Sequence, residues 1–229
     1  MRLLLSTLML TFAIGFPTYA QLDDKVADRL WESAKILDEL TKAPDGGVPR
    51  ELLKRAECVA VIPAVKKAAL GIGGLYGRGA VSCRKDNGKG PWGAPSMLAL
   101  GGGSIGLQLG GQSNDVVMLF MTPDSIKFLL RDKVTLGGDA AASAGPKGRA
   151  ASAQTSASMR AEILTYGRSR GLFAGLSLNG AVLTPDTDAN KSLYKRAVEA
   201  KDLLIQGNVA IPEAARKFID AVSRLSTGT

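Results

Sequence analysis

Apolar side chains recur every three or four residues near the start of the chain, which is the spacing of an amphipathic helix. The stripe lies within residues 21–42 and is formed by Val26, Leu30, Ala34, Leu37 and Leu40. Acidic residues stand near its start, where the positive end of the helix dipole favours them. An Ala-Pro-Asp-Gly-Gly segment ends this helix, and a second short helix is predicted over residues 49–56, with proline in its first turn.

Helical spacing returns near the C-terminus. Leu193, Ala197 and Leu204 share one face of a single predicted helix, which Gly207 ends. A last helix is predicted over residues 211–225, opened by an Ile-Pro pair. Both ends of the chain are therefore expected to be helical.

Between these ends the pattern changes to short apolar runs separated by glycine and turn residues. The chain has 27 glycines among 229 residues, well above a typical share of about 7%. An Asp-Asn-Gly-Lys-Gly segment at residues 86–90 predicts a hairpin, Pro63 is expected to stop the first strand, and Thr122 is expected to cap a short helix through Leu130. The predicted strands are residues 59–62, 75–83, 92–100, 104–109, 115–121, 134–142, 150–158, 161–166 and 172–183.

These elements predict one fold class. It is α+β, with an antiparallel, curved or barrel-like β core and helices at the N- and C-terminal ends. The glycines are expected at bends and close approaches of the sheet.

The first twenty residues have a different character. Arg2 is their only charge, and an apolar stretch over residues 3–16 is followed by Pro-Thr-Tyr-Ala. This pattern predicts a cleaved secretory signal peptide over residues 1–20. The apolar run is too short for a transmembrane helix, which needs about 20 residues to span a bilayer. Residues 21–229 are then expected to form a single domain, periplasmic or secreted and peripherally associated with a membrane.

Basic residues outnumber acidic ones and give the chain a formal charge of +8. The excess is concentrated in residues 61–100 and 131–170, and such an excess attracts anionic surfaces of any kind. If the turns that carry these residues share one side of the fold, they form a cationic surface; otherwise they are scattered solubilising charges. The candidate lipid-binding residues are Lys66, Lys67, Arg78, Arg84, Lys85, Lys89, Arg131, Lys133, Lys147, Arg149, Arg168 and Arg170.

The chain contains no histidine, which argues against several kinds of catalytic site. Ser104 lies in a G-x-S-x-G pattern but has no histidine to serve as its base, and a Ser192–Lys195 pair lies on an ordinary helix. A G-x-G-x-x-G match that starts at Gly101 continues as a strand, whereas a dinucleotide site needs a helix there. We therefore expect no enzyme, no cofactor and no metal.

The two cysteines, Cys58 and Cys83, form a possible disulfide, and the alternative of two free thiols stays open. Nucleic acid is not an expected partner either. Aromatic residues are only 5% of the chain, and no helix-turn-helix or zinc-finger pattern accompanies the basic segments.

Several motifs in the middle of the chain occur in the order found in one known family. They are Cys58-Val59-Ala60-Val61-Ile62-Pro63, Gly77-Arg78-Gly79, Trp92-Gly93-Ala94-Pro95, Gly103-Ser104-Ile105-Gly106-Leu107-Gln108-Leu109-Gly110, Asp115-Val116-Val117 and Arg170-Gly171-Leu172-Phe173-Ala174-Gly175-Leu176-Ser177-Leu178. In this respect the chain resembles the SYLF domain family, as a bacterial exported member. The resemblance covers residues 22–225, nearly the whole predicted mature chain.

This resemblance implies non-enzymatic phospholipid binding, with phosphoinositide head groups favoured in eukaryotic relatives and actin binding in the yeast ones. Phosphoinositide specificity is not carried over, because the predicted signal peptide stands where some relatives have a lipid-binding helix. Actin is an unexpected partner for an exported protein. Asn179 stands where the family often has glutamate, so the role of that position stays open.

The function expected from the sequence is binding of an anionic phospholipid surface through the basic loops, helped by shallow insertion of Leu70, Ile72 and Leu75. The alternative is a structural or protein-interaction module of the cell envelope that has no specific lipid ligand.

Overall fold

The fold is taken from a computed structural model, which describes residues 19–42, 48–70, 72–105, 110–146, 161–169 and 172–227. The predicted signal peptide lies outside these residues apart from Tyr19 and Ala20. Among the described helices, none is long and apolar enough to cross a bilayer.

The helices stand at both ends of the chain, as predicted. Helix α1 spans Tyr19–Lys42, α2 spans Arg50–Arg55, and the last helix, α6, spans Arg216–Thr227 after a 3₁₀ turn at Glu213–Ala215. Thr122 caps α4, Pro123–Ile126, which continues as a 3₁₀ turn over Lys127–Leu130. The predictions for these elements are confirmed, because their caps and apolar stripes are local signals.

Within the described residues, nine strands form one curled sheet. They are β1 Cys58–Leu70, β2 Ile72–Cys83, β3 Ser96–Ile105, β4 Gly110–Phe120, β5 Val134–Thr135, β6 Ala142–Ala144, β7 Ile163–Ser169, β8 Leu172–Gly175 and β9 Val182–Pro185. Their order is β5-β9-β3-β2-β1-β4-β7-β6, and β8 pairs with the rest of β7. The α+β class is confirmed, but the sheet is mixed and not wholly antiparallel, since β6 runs parallel to β7.

Two apolar cores lie on opposite faces of this sheet. On one face α1, α2 and α6 pack over alternate strand residues such as Val59, Val117 and Tyr166. On the other face, which we call the inner face, Ile62, Met118 and neighbouring strand residues pack against the connections. Alternation of buried side chains along β1 and β4 thus assigns each residue to one of two layers.

The predicted stop of the first strand at Pro63 is wrong. Strand β1 continues through Pro63 to Leu70, with an irregularity in its pairing between Ile62 and Val65. Ala64 takes a left-handed conformation there, with φ of 49°, and its N–H donates to Asp115 Oδ1 at 2.8 Å. The missing N–H of proline is tolerated at such a bulge, because the ladder is already interrupted.

Two long predicted strands are each divided by a glycine turn. Residues 134–142 form β5 and the approach to β6, separated at Gly137 with φ of +80°. Residues 172–183 form β8 and β9, separated at Gly180 with φ of +82°. Only glycine reaches this conformation without strain, so the strands end there. The predicted strand over residues 150–158, and residues 106–109 of another, lie outside the described residues.

The connection predicted as a tight hairpin at residues 86–90 is longer than expected. Strands β2 and β3 do pair antiparallel, but the short helix α3, Lys85–Gly88, and an extended stretch through Pro95 separate them. Asp86 and Gly88 both have positive φ, which turns the chain within α3 and not between two paired residues.

The single helix predicted through Leu193 and Leu204 is also wrong. Helix α5, Thr187–Tyr194, ends at Lys195 with φ of 57°, and a separate π-helical turn covers Asp202–Gln206. The Lys195 ammonium pairs with Asp23 of α1, a contact between residues 172 positions apart. The ion pair with Asp23 favours the end of α5 at Lys195. Because Asp23 is distant in sequence, the residues around Lys195 do not predict this end.

Candidate functional site

The β1–β2 hairpin extends beyond the helices that cover the rest of the sheet. We call residues 64–77 the arm. None of the described side chains of the arm belongs to the core beneath α1 and α6, and on the inner face only Val65 is buried, with Leu75 packed against it. The arm is therefore an exposed extension of a well-packed sheet.

A polar brace fixes the base of the arm. Asp115 on β4 accepts a hydrogen bond from the Ala64 N–H through Oδ1, and from Arg168 Nε at 2.7 Å through Oδ2. Arg168 also pairs with Glu39 of α1. One carboxylate thus joins β1, β4 and β7 at the base of the arm.

Cationic and aromatic side chains share one face of the arm. Lys66 is exposed and stands directly opposite Tyr76, whose side chain is 52% exposed. Arg78, next on the same face, donates a hydrogen bond from Nε to the Tyr76 hydroxyl. Gly101 is the β3 partner of Tyr76, and a Cβ there would meet no atom within 4 Å, so this face is open. Lys67 is half-buried and points to the other face, because alternate strand residues do so.

Asp186 supports this face from below. Its buried carboxylate lies 3.7 Å from Arg78 Nε and 3.4 Å from Arg29 Nη1 of α1, and it also caps α5. The Tyr76 hydrogen bond, followed by the charge of Asp186, raises the pKa of Arg78 above its ordinary value despite partial burial. Burial lowers the pKa of Arg29, although a guanidinium remains charged in proteins.

The opposite end of the sheet holds other predicted cations and the two cysteines. Cys58 and Cys83 face each other across β1 and β2 and are joined by a disulfide. Arg84 lies over Trp92, 4.6 Å from the ring centroid, and its Nε donates to the Ala56 carbonyl at 3.3 Å. Burial lowers the pKa of Arg84. This side chain is part of the packing of the disulfide end.

Lys85 and Lys89 differ in exposure at this end. Lys85 is half-buried, and its methylene stem lies so close to Gly207 that a Cβ there would come within 2.9 Å of Lys85 Cε. Lys89 is exposed. Gly207 is thus required both for its positive φ and for the passage of this stem.

The remaining predicted cations are distributed elsewhere. Arg131 stacks over Phe128 at 5.2 Å, and Lys133 is exposed beside β5. Arg168 is half-buried between two carboxylates, whose hydrogen bonds raise its pKa against the opposing effect of burial. Lys147, Arg149 and Arg170 lie outside the described residues.

The structure therefore brings together Lys66 and Arg78, with Lys67 on the other face of the same hairpin. It places Arg84, Lys85 and Lys89 at the other end of β2. Leu75, the partner of Lys67, lies nine positions before Arg84, which corresponds to roughly 30 Å of strand. This exceeds the Debye length of about 8 Å at physiological salt, so the two groups act separately on a charged partner.

Neither serine considered for catalysis stands in a suitable arrangement. Ser104 lies within β3 and not at a strand-to-helix turn. Ser192 is buried and donates its hydroxyl to Asp23, the same carboxylate that binds Lys195. These two bonds hold the pKa of Asp23 below its ordinary value. Lys195 is therefore an ion-pair partner and not a base for Ser192. No group of three metal-ligating side chains occurs in the described part of the chain.

Two residues of the arm region were not predicted from the sequence. Tyr76 carries a readable signal, since it is an aromatic residue between glycines and beside Arg78 in an alternating strand. Asp186 carries none, because its role depends on partners from α1 and β2 that are far away in sequence.

Comparison with known proteins gives a consistent family. The family model described as "Ysc84: Las17-binding protein actin regulator" matches residues 101–225. An SH3 domain-containing protein of Schizosaccharomyces pombe is 39% identical over 171 residues, covering 73% of this chain and 39% of the relative. LAS seventeen-binding protein 3 of Saccharomyces cerevisiae is 35% identical over 191 residues, covering 80% of this chain and 41% of the relative.

An animal relative shows the same pattern. The SH3 domain-containing YSC84-like protein 1 of Homo sapiens is 31% identical over 195 residues, covering 82% of this chain and 56% of the relative. The chain thus matches only about half of the length of these curated relatives, or less.

Proposed function

Because this chain belongs to the Ysc84, or SYLF, family, we propose that it is a non-enzymatic binding module that attaches to anionic phospholipid surfaces through its arm. The observation that carries this proposal is the open face on which Lys66, Tyr76 and Arg78 lie side by side. Lys67 adds a second ammonium group from the reverse side of the same hairpin.

The chemistry of this face suits a membrane interface. Tyrosine is enriched where hydrocarbon meets head groups, and lysine stems lie along apolar surface while their ammonium groups stay in water. Each lysine or arginine near an anionic bilayer contributes about 1 kcal/mol of attraction. The arm also protrudes beyond the helices, so a flat surface can reach it.

The other predicted cations support this role less. Arg84 packs over Trp92, and Arg168 is held between Asp115 and Glu39. Arg131, Lys133 and Lys89 are accessible but lie outside the arm. A flat bilayer contacts one end of the sheet at a time, and at the arm the exposed Lys66 and Tyr76 share one open face.

The proposed setting is outside the cytoplasm, after removal of the predicted signal peptide, with the protein held peripherally at a membrane. The printed descriptions of the relatives concern Las17 binding and actin regulation, and those proteins are longer than this chain. For this chain a protein partner is the alternative outcome of the test below.

The test is co-sedimentation with phosphatidylglycerol–phosphatidylcholine vesicles and with pure phosphatidylcholine vesicles. We expect Lys66→Glu with Lys67→Glu to weaken binding to the anionic vesicles by at least about 30-fold, since two attractive charges become repulsive. Raised salt should weaken the binding of the unmodified protein.

The matched control reverses two exposed charges at the disulfide end, Arg55→Glu with Lys89→Glu. It changes the net charge by the same amount and should weaken binding less than about threefold, since both groups lie more than a Debye length from the arm. Equal losses in both variants would contradict an arm-specific contact. If the unmodified protein does not bind anionic vesicles, the alternative function as a protein-interaction module is favoured.

A further inference from the structure

A groove of about 220 Å³ lies between α1 and α6, on the side of the helices that faces away from the sheet. Its lining is one aromatic residue, one alanine and five charged residues: Trp31, Ala34, Lys35, Asp38, Lys217, Asp220 and Arg224. Ala34 is small and buried, which leaves the groove its depth. This site does not overlap the arm.

Trp31 is the unusual member of this lining. Its side chain is 46% exposed, whereas the chain's other tryptophan, Trp92, is only 4% exposed. The Lys35 ammonium lies 4.2 Å from the indole centroid and braces the ring from one side. An indole kept at the surface of a helix offers a ligand a rigid flat surface at little entropic cost.

Two of the three cations that line the groove are paired with carboxylates. Lys35 pairs with Glu32 at 3.2 Å, and Arg224 pairs with Asp38 at 2.6 Å. Lys217 and Asp220 are exposed, and neither has an ion-pair partner among the residues that the structure describes. The groove therefore presents one free set of donors and one free carboxylate beside an aromatic ring, and the neighbouring Glu32 offsets the +1 charge of its lining.

We propose that this groove binds a neutral oligosaccharide. A pyranose ring has apolar C–H faces that fit an indole, and its hydroxyls both donate and accept, as the Asp220 carboxylate and the Lys217 ammonium require. The row from Trp31 to Asp38 spans about 10 Å of helix, close to the length of a disaccharide. A peptide suits the groove less, because peptide side chains anchor in apolar pockets and this lining is mainly charged.

The experiment follows the two indole N–H signals of the full chain by NMR during titration with the N-acetylglucosamine tetramer. We expect the Trp31 signal to shift and saturate while the Trp92 signal stays in place. Asp220→Asn and Lys217→Met should each weaken binding about tenfold, the usual loss for a hydrogen bond to a charged group. Trp31→Ala should abolish binding, and Trp31→Phe should retain a weakened form.

Three controls keep the result interpretable. Thermal unfolding of Trp31→Ala must match the unmodified protein, and vesicle binding of this variant should be unchanged because Trp31 lies away from the arm. Sugar binding should be insensitive to salt, in contrast to vesicle binding, so either activity can fail without the other. A Trp31 signal unmoved by the N-acetylglucosamine, glucose β-1,4 and glucose α-1,4 tetramers overturns the proposal. A shift caused only by an uncharged peptide overturns it as well.

Discussion

The two ends of the central strands contain similar residue types, but they differ in which of these residues are packed and which are exposed. At the disulfide end, Cys58 is bonded to Cys83, and Arg84 is packed on Trp92. At the arm end, the strands pass through glycines, and Lys66 and Tyr76 face solvent. Both ends carry an excess of positive charge, but Arg84 is engaged in packing at the disulfide end, whereas Lys66 is exposed beside Tyr76 at the arm.

The difference shows that a count of basic residues is a poor guide to a binding surface. A guanidinium that already has a carboxylate or an indole as neighbour must lose that contact before it meets a phosphate. An exposed lysine loses only its hydration. Perturbation of the disulfide end should therefore change stability, and perturbation of the arm should change binding.

The largest expected effect comes from removal of the disulfide. Replacing Cys58→Ala and Cys83→Ala releases a loop of 25 residues and should lower the free energy of unfolding by about 3 kcal/mol. Urea denaturation measures this loss, and vesicle affinity of the folded variant should be unchanged. Lys66→Ala with Lys67→Ala is the arm counterpart and should cost less than about 0.5 kcal/mol. A similar loss of unfolding free energy in the double cysteine and double lysine variants would contradict the proposed difference between the two ends.

A smaller effect is expected at Asp186, which joins the arm region to the helices. Asp186→Asn keeps an N-cap but leaves the half-buried Arg29 without its carboxylate, at a cost of about 2 kcal/mol in unfolding free energy. Vesicle binding should not fall, since Arg78 loses a competing anion. Asp188→Asn removes an exposed charge of the same helix that also acts on Arg78, and as the control it should cost less than about 0.5 kcal/mol in unfolding free energy. Equal destabilisation by the two variants would contradict the bridging role of Asp186.

The smallest effect is expected at the brace of the arm. Asp115→Ala removes the acceptor of the Ala64 N–H and one of the two partners of Arg168, for a cost of about 1 kcal/mol. Amide hydrogen exchange should become faster in residues 64–77 and remain unchanged in the disulfide end of β1. Uniformly faster exchange along β1 would show that the brace serves the whole sheet.

Much of the fold is predictable from the sequence, because its signals are local. The apolar stripe of α1 and the Thr122 cap each depend on residues within a few positions of one another. The failures are non-local. Pro63 looks like a strand end until Asp115, 51 positions from Ala64, supplies the hydrogen bond that stabilises a bulge.

The candidate site is less predictable for the same reason. The sequence identifies Lys66, Arg78, Arg84 and Arg168 as equivalent cations. Whether each is free depends on a partner elsewhere in the fold, such as Asp186 for Arg78. Burial and ion pairing decide which charged side chains remain available to a ligand. Neither can be predicted from the residues adjacent to the charge in sequence.

The pairing of the first helix with the last sets the order in which this fold can form. Strands β1, β2 and β3 pair with their sequence neighbours, and β4 pairs back onto β1, so these four strands can assemble early from residues 58–120. Arg224 of α6 meets Asp38 of α1 across 186 positions. A chain emerging from a ribosome or a translocation pore cannot close its helical layer until the last segment is released. Until then, the part of the α1 stripe that α6 covers remains available to chaperones.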